Sequence, residues 1–138
     1  MKEFPLRLER YFFTHQQVTA NPDFNQDIVN NPIHFEYIID GDATRLADQD
    51  HQYGISAHVE LNQEKSKNPP YFLSVTAFGI VSIKDDTVGP AAIESMIESS
   101  GIQLLLGAIR ERLADMTARG PWGQINLDFI PLTIRLSP

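Results

Sequence analysis

The sequence contains no cysteine. Without thiols the chain forms neither disulfides nor zinc–thiolate centres, and thiol-based catalysis is excluded. This absence also suits a reducing compartment, so we expect a cytoplasmic protein. No apolar run approaches the roughly 20 residues that a membrane-spanning helix needs. The charged N-terminal stretch MKEFPLRLER has no apolar signal-peptide core, so we expect neither a cleaved leader nor a membrane partner.

Positive charge is also scarce. The net charge is −7 over 138 residues, and such a surface repels phosphate, so no nucleic-acid partner is expected. The composition, with 42% hydrophobic and 21% charged residues, is typical of a globular protein. The length fits one modest core, and we predict a single domain over residues 1–138.

The common sequence motifs of enzymes are missing. There is no P-loop, no G-x-G-x-x-G and no G-x-S-x-G. The two closest histidines, His51 and His58, are seven residues apart, which places them on opposite faces of a strand. The acidic cluster at 40–50 lacks the spacing of a calcium loop. We therefore predict no catalytic residues, no metal, no cofactor and no enzymatic activity.

The first two thirds of the chain show the alternation of β-strands. Strands are predicted at 6–14, 33–39, 53–61 and 71–83. In the first, Leu6, Leu8 and Phe12 share a face; in the third, the residues from Tyr53 to Leu61 alternate without a break. Asp-Gly-Asp at 40–42 is typical of a turn. The short links predict an antiparallel meander.

The pattern then changes to helical periodicity. A short helix is predicted with Ile93, Met96 and Ile97 on its apolar stripe, and Ser-Ser-Gly at 99–101 is expected to end it. A longer helix follows over 102–118, ended by Gly120. Its apolar stripe comprises Ile102, Leu105, Leu106, Ile109, Leu113 and Met116. The predicted fold is α+β, a four-stranded antiparallel sheet followed by two helices packed on one face.

The last third of the chain resembles the SecB family of protein-export chaperones. The resemblance rests on FGIVSI at 78–83 and on LLLGAIRERLADMTARGPWGQINL at 104–127. It is carried by Arg110-Glu111 in the helix, by Ala118-Arg119-Gly120 at its end, and by Trp122 followed by Gln-Ile-Asn-Leu at 124–127. The preceding strands match in number and order. The Trp122 turn is expected to pack the chain back onto the helix end and the sheet edge, with Gln124 and Asn126 bonded to backbone groups.

The resemblance implies an ATP-independent chaperone, or holdase, that binds unfolded client polypeptides and assembles as a dimer of dimers, hence a homotetramer. Long apolar grooves hold the client in this family, whose role lies in protein export and translocation. The candidate client-binding residues are Phe24, Ile28, Phe35, Tyr37 and Ile39. The alternative for Phe35, Tyr37 and Ile39 is that they face the protein core.

The sequence also departs from the family. SecB proteins dock the motor ATPase SecA through sheet-face carboxylates and a C-terminal tail. Here His15, Thr19 and Ser74 occupy the carboxylate positions, and no tail follows Pro138, so SecA binding is doubtful. Service to a specific client, such as an antitoxin, stays open. The alternative from another class is an enzyme or small-ligand-binding protein that uses a sheet–helix cleft.

Overall fold

The computed structural model describes residues 6–25, 27, 36–45, 52–83, 92 and 95–126, together with the backbone of 135–136. Its elements are β1 (Leu6–Ala20), β2 (Tyr37–Arg45), β3 (Gln52–Leu61), β4 (Tyr71–Ile83), a π-helical turn (Ile97–Gly101), α1 (Ile102–Thr117) and β5 (Arg135–Leu136). The first four strands form an antiparallel sheet, and α1 packs on one of its faces. The predicted α+β class with four antiparallel strands is confirmed.

The strand order is β1-β4-β3-β2-β5. Strands β2, β3 and β4 form the predicted meander, but β1 pairs with β4, so the meander prediction is wrong for β1. The chain between Ala20 and Tyr37 is longer than a hairpin link, and it connects opposite sides of the four-stranded sheet. The short β5 runs parallel to β2 at the edge of the sheet.

Strand β1 carries two register shifts, one between Leu8 and Arg10 and one between Phe13 and His15. A bulge adds one residue to the strand, and every side chain beyond it changes face. Leu8 and Phe13 therefore pack against the core, whereas Phe12 is 43% exposed. The prediction that Phe12 shares a face with Leu8 is wrong for this reason.

The Asp-Gly-Asp sequence at 40–42 does not form the predicted turn. These residues continue β2, and they pair in unbroken register with His58, Ala57 and Ser56 of β3. Gly41 is buried on the helix-facing side of the sheet. Pairing along the whole strand outweighs the local turn preference of Asp and Gly, which context commonly overrides.

The core lies between the sheet and the helix. Alternate residues of β3 and β4 point into it, as the alternation predicted. The helix layer adds its apolar stripe, and the most deeply buried large side chains come from both layers. They are Ile55, Val59, Val75, Val81, Ile97, Ile102, Leu105, Ile109 and Leu113.

The predicted break between two helices is wrong for the described part of the chain. Ser99, Ser100 and Gly101 lie in the π-helical turn, which continues directly into α1. The Ile102 N–H donates to the Ile97 carbonyl, five residues back, so both isoleucines face the sheet and are almost fully buried. A regular α-helix would place residues five apart on different faces. Ile93 lies outside the described residues.

The long helix matches its prediction closely. Five of the six predicted stripe residues are buried, and Met116 is half-buried. Thr117 is also buried, because its hydroxyl donates to the Leu113 carbonyl at 2.7 Å. In the part of the chain that the structure describes, no helix has the length and apolar content required to cross a bilayer.

Candidate functional site

The structure describes three of the five predicted client-binding residues. Phe24 is half-buried beyond the end of β1, and Tyr37 is half-buried at the start of β2. Ile39 points towards the helix side and is 5% exposed, within the core of the single chain. Burial raises the pKa of the Tyr37 hydroxyl above its ordinary value. Ile28 and Phe35 lie outside the described residues.

Phe24 belongs to an aromatic corner, which we define as Asn21, Phe24, Tyr71 and Trp122. The rings of Phe24 and Trp122 lie 5.2 Å apart, centroid to centroid, at 57°. The Trp122 indole N–H donates to the Asn21 carbonyl at 2.9 Å, and the Trp122 backbone N–H donates to the Tyr71 hydroxyl at 3.1 Å. Two polar contacts and one ring contact thus fix the indole where β1 ends and β4 begins.

The Tyr71 hydroxyl also donates to the Gly123 carbonyl at 2.9 Å, so it bridges both sides of the turn after α1. Gly120 lies directly against the Tyr71 ring, where a Cβ atom would collide with the ring. Gly123 has φ +88°, a conformation that glycine adopts without strain. The aromatic corner therefore depends on two glycines as well as on its rings.

A second contact closes the same turn. The buried Thr117 hydroxyl accepts the Ile125 backbone N–H at 2.8 Å, and Ile125 packs against the core. The prediction that the Trp122 turn returns the chain onto the helix end and the sheet is confirmed. Within the described residues, which stop at Asn126 before a gap, the Gln124 amide donates to the Asn126 side chain, and the predicted contacts of these two side chains with backbone groups are not seen.

The β3–β4 loop, residues 62–70, holds both ends of the connection from β1 to β2. At one end, the backbone N–H and carbonyl of Asn25 bond to the Asn68 side chain at 2.8 and 2.9 Å. At the other, the Glu36 N–H donates to the Ser66 hydroxyl at 3.0 Å, and the Asn62 N–H donates to the Glu36 carbonyl at 2.8 Å. Phe24 and Tyr37 are consequently anchored at the same end of the sheet.

A groove of about 550 Å³ lies between β1 and the outer side of α1. Its apolar rim consists of Tyr11, 46% exposed, and Leu104, 44% exposed. The remaining lining residues are Leu8, Gly107, Ala108, Arg110, Glu111, Ala114 and Asn126. Small side chains on α1 leave the space open, since a Cβ added at Gly107 would meet nothing within 4 Å.

Sequence reasoning missed this groove, although two signals for it were present. Leu104 falls off the buried stripe of α1, and the small residues Gly107, Ala108 and Ala114 follow it on the same side of the helix. Exposed large apolar side chains beside a depression are typical of surfaces that contact another chain. The groove therefore combines apolar side chains with the polar side chains of Arg110, Glu111 and Asn126.

The open face of the sheet, opposite α1, carries His15, Thr19 and Ser74 together. His15 pairs with Thr76, Thr19 with Phe72 and Ser74 with Gln17, so the three lie on adjacent strands and on the same face. None is acidic. On this face the rings of Phe12 and Phe78 lie 5.5 Å apart, and the Arg10 guanidinium lies 5.8 Å from the Phe12 ring.

His58 and Glu60 form a polar pair on the open face. One nitrogen of His58 bonds to the Thr76 hydroxyl at 2.7 Å, and the other lies 3.5 Å from the Glu60 carboxylate. Over residues 6–126, outside the gaps in the description, no group of three or more potential ligands is placed to hold a metal ion. Both ring nitrogens of His58 thus have a polar partner within the sheet.

No family model and no curated protein match the sequence. Among solved structures, the chain is similar to the SecB-like chaperone Rv1957 of Mycobacterium tuberculosis, solved with a ChAD peptide from the HigA1 antitoxin Rv1956. That match has a TM-score of 0.64 and 10% identity over 93% of this chain and 92% of the other. A protein of unknown function from Streptococcus agalactiae matches with a TM-score of 0.46 and 12% identity, over 90% of this chain and 97% of that one. The first similarity shows a SecB-like fold.

Proposed function

We propose that this protein is a chaperone that binds non-native polypeptides without using a nucleotide. The observation that carries the proposal is the SecB-like fold, shared over almost the whole chain with a chaperone solved in complex with an antitoxin peptide. The absence of a phosphate-binding motif from the sequence agrees with it. A receptor for many unfolded chains needs exposed apolar surface, and Tyr11 and Leu104 at the groove supply part of it.

The shape of the groove favours a polypeptide over a small substrate. Its lining is shallow and extended along α1, with exposed Tyr11 and Leu104 at the rim. A small-molecule site is normally concave and encloses most of its ligand with a few convergent polar groups. An enzyme or small-ligand-binding protein is the second hypothesis; in the groove it would rely on the polar groups of Tyr11, Arg110, Glu111 and Asn126.

Partners and assembly belong to the same proposal. We expect a cytoplasmic homo-oligomer, a dimer or a dimer of dimers, because Leu104 is 44% exposed on the outer side of α1 and exposed apolar side chains of a helix layer favour contact with a second copy. A dedicated client such as an antitoxin fits better than delivery to SecA, since His15, Thr19 and Ser74 provide no carboxylate on the open face. Light scattering coupled to size exclusion measures the mass; a monomer at micromolar concentration would contradict the assembly.

The function is tested by the aggregation of chemically denatured citrate synthase. With one chaperone protomer per client chain and no nucleotide, we expect light scattering to fall by more than half. Leu104→Glu should weaken this protection, because it places a charge on the rim of the groove. The matched control is Gln103→Glu, which adds the same charge at the neighbouring exposed position. Unchanged aggregation with the wild-type protein would refute the proposal. Equal protection by both variants would show that the groove is not the client-binding surface.

A further inference from the structure

The two edges of β2 are used very differently. On one side β2 pairs with β3 along its whole length, from Tyr37 opposite Leu61 to Arg45 opposite Tyr53. On the other side β5 pairs with β2 only at Asp40 and Gly41. Within the described residues, the rest of this edge of β2 has no strand beside it. Its backbone donors and acceptors form a row that an extended chain can pair with.

The contact between β5 and β2 is a weak one. It spans two residues of each strand, and parallel pairing is slightly less stable per residue than antiparallel pairing. Strands of ordinary length, by contrast, have about five or six residues. A competing strand that pairs along more of β2 would gain more backbone hydrogen bonds than β5 provides, and it would displace β5 without disturbing the pairing of β2 with β3.

The opposite edge of the sheet is less suited to an incoming strand. β1 contains two bulges, between Leu8 and Arg10 and between Phe13 and His15. A bulge is one of the devices by which proteins prevent edge-to-edge pairing. The register of β2 is regular from Tyr37 to Arg45, without a bulge, and Ile38 is 38% exposed on its open face, where Asp40 follows. Of the two edges, β2 is therefore the better template.

We propose that β5 occupies the edge of β2 as a placeholder, and that an extended segment of a non-native polypeptide displaces it and pairs with β2. The inference rests on the proposed chaperone function and adds the mode of capture. Backbone pairing is independent of client sequence, and alternate side chains of the added strand meet the two faces of the sheet. Affinity for many different clients follows, because every unfolded chain has free backbone donors and acceptors.

The first test locks β5 in place. Because the chain has no cysteine, Asp40→Cys/Arg135→Cys introduces a single pair across neighbouring Cα positions of β2 and β5. Adjacent strands lie about 4.8 Å apart, within the Cα distances that disulfides span. The probe is fluorescein-labelled, reduced and carboxymethylated α-lactalbumin, which stays unfolded. Oxidised protein should bind it about tenfold more weakly than the same protein after dithiothreitol, with a monomeric disulfide confirmed by mass spectrometry.

The second test removes the placeholder. Arg135→Pro/Leu136→Pro takes both backbone N–H groups from β5 and leaves β2 intact. We expect this variant to bind the same probe about tenfold more tightly than the wild type. Hydrogen exchange distinguishes a displaceable β5 from one with a purely structural role. Adding the probe should increase exchange in a peptide that contains 135–136, while residues 38–44 stay protected.

Each outcome has one meaning. Suppose that the wild type binds the probe, that the disulfide and proline variants bind it equally well, and that the probe does not change hydrogen exchange at 135–136. The placeholder role of β5 is then refuted, and the chaperone proposal stands. If the proline variant doubles its mass by light scattering and binds the probe no better, a second copy of the chain takes the edge, which also refutes it. If the wild type neither binds the probe nor suppresses aggregation, the proposed function fails, and this inference fails with it.

Discussion

Replacing Tyr71 by phenylalanine removes one oxygen atom from the aromatic corner. In the native structure this hydroxyl accepts the Trp122 N–H at 3.1 Å and donates to the Gly123 carbonyl at 2.9 Å. The Tyr71 side chain is buried, and its ring lies against Gly120. Phenylalanine keeps the ring and its packing, so the substitution isolates the two hydrogen bonds from the hydrophobic contribution of the corner.

The expected cost follows from the surroundings of the two partners. A typical intramolecular hydrogen bond contributes about 1 kcal/mol, and the cost rises when a buried partner is left without one. Trp122 is half-buried and Gly123 is exposed, so water replaces the contact more readily at Gly123. We expect the free energy of unfolding to fall by about 2 kcal/mol. For a domain of this size, that corresponds to a melting temperature lower by about 6 °C.

The assay is urea unfolding at fixed protein concentration, followed by the emission of Trp122, which is the sole tryptophan, and by far-UV circular dichroism. Tyr11→Phe is the matched control, because its hydroxyl lies on a residue that is 46% exposed. The control should change stability by less than about 0.5 kcal/mol. Equal unfolding free energies for Tyr71→Phe and the control would refute the bridging role of the hydroxyl.

Three further predictions concern single positions. Thr117→Val leaves the Ile125 N–H without its acceptor and should lower the unfolding free energy by about 1–3 kcal/mol in urea titration; no change would contradict the contact. Gly107→Ala should raise the unfolding free energy by about 0.5–1 kcal/mol, because alanine favours the helix and its Cβ would touch no neighbouring residue. Gly120→Ala should lower the unfolding free energy by about 1–3 kcal/mol, because its Cβ would collide with the Tyr71 ring. Thermal unfolding measures both changes. Burial raises the pKa of Tyr37, so the contribution of this group to stability should be constant below about pH 10 and fall above it; Tyr37→Phe should reduce the slope of stability against pH in alkaline denaturation, and an unaltered slope would contradict the burial effect.

Regular alternation made the central strands predictable. β4 has the predicted bounds, and β3 has the predicted faces, because both are buried on one side along their length. The errors arise where pairing partners decide the outcome. The bulge that exposes Phe12 and the extension of β2 through Gly41 depend on the neighbouring strands, and a local pattern carries no information about them. The pairing of β1 with β4 likewise joins segments that are far apart in the sequence.

The functional site was harder to predict for a related reason. Trp122 could be placed at the helix end because Gly120 and the loss of helical periodicity mark that end, and the structure confirms this. The groove is different, because it is a gap between β1 and α1, and a gap exists only once both elements have been positioned. The placement of Ile39 in the core and of Phe24 against Trp122 also follows from contacts between segments far apart in the chain.

The π-helical turn has a consequence for comparing related sequences. In an α-helix, one inserted residue rotates everything on one side of it by about 100°. Here the wide turn between Ile97 and Ile102 absorbs an additional residue locally, so the side chains on either side keep their orientation towards the sheet. A relative one residue shorter at this place would form an uninterrupted α-helix with the same buried positions. Sequence alignments should therefore open a one-residue gap between 97 and 102, and gap-free matching would bring solvent-facing residues into register with core residues.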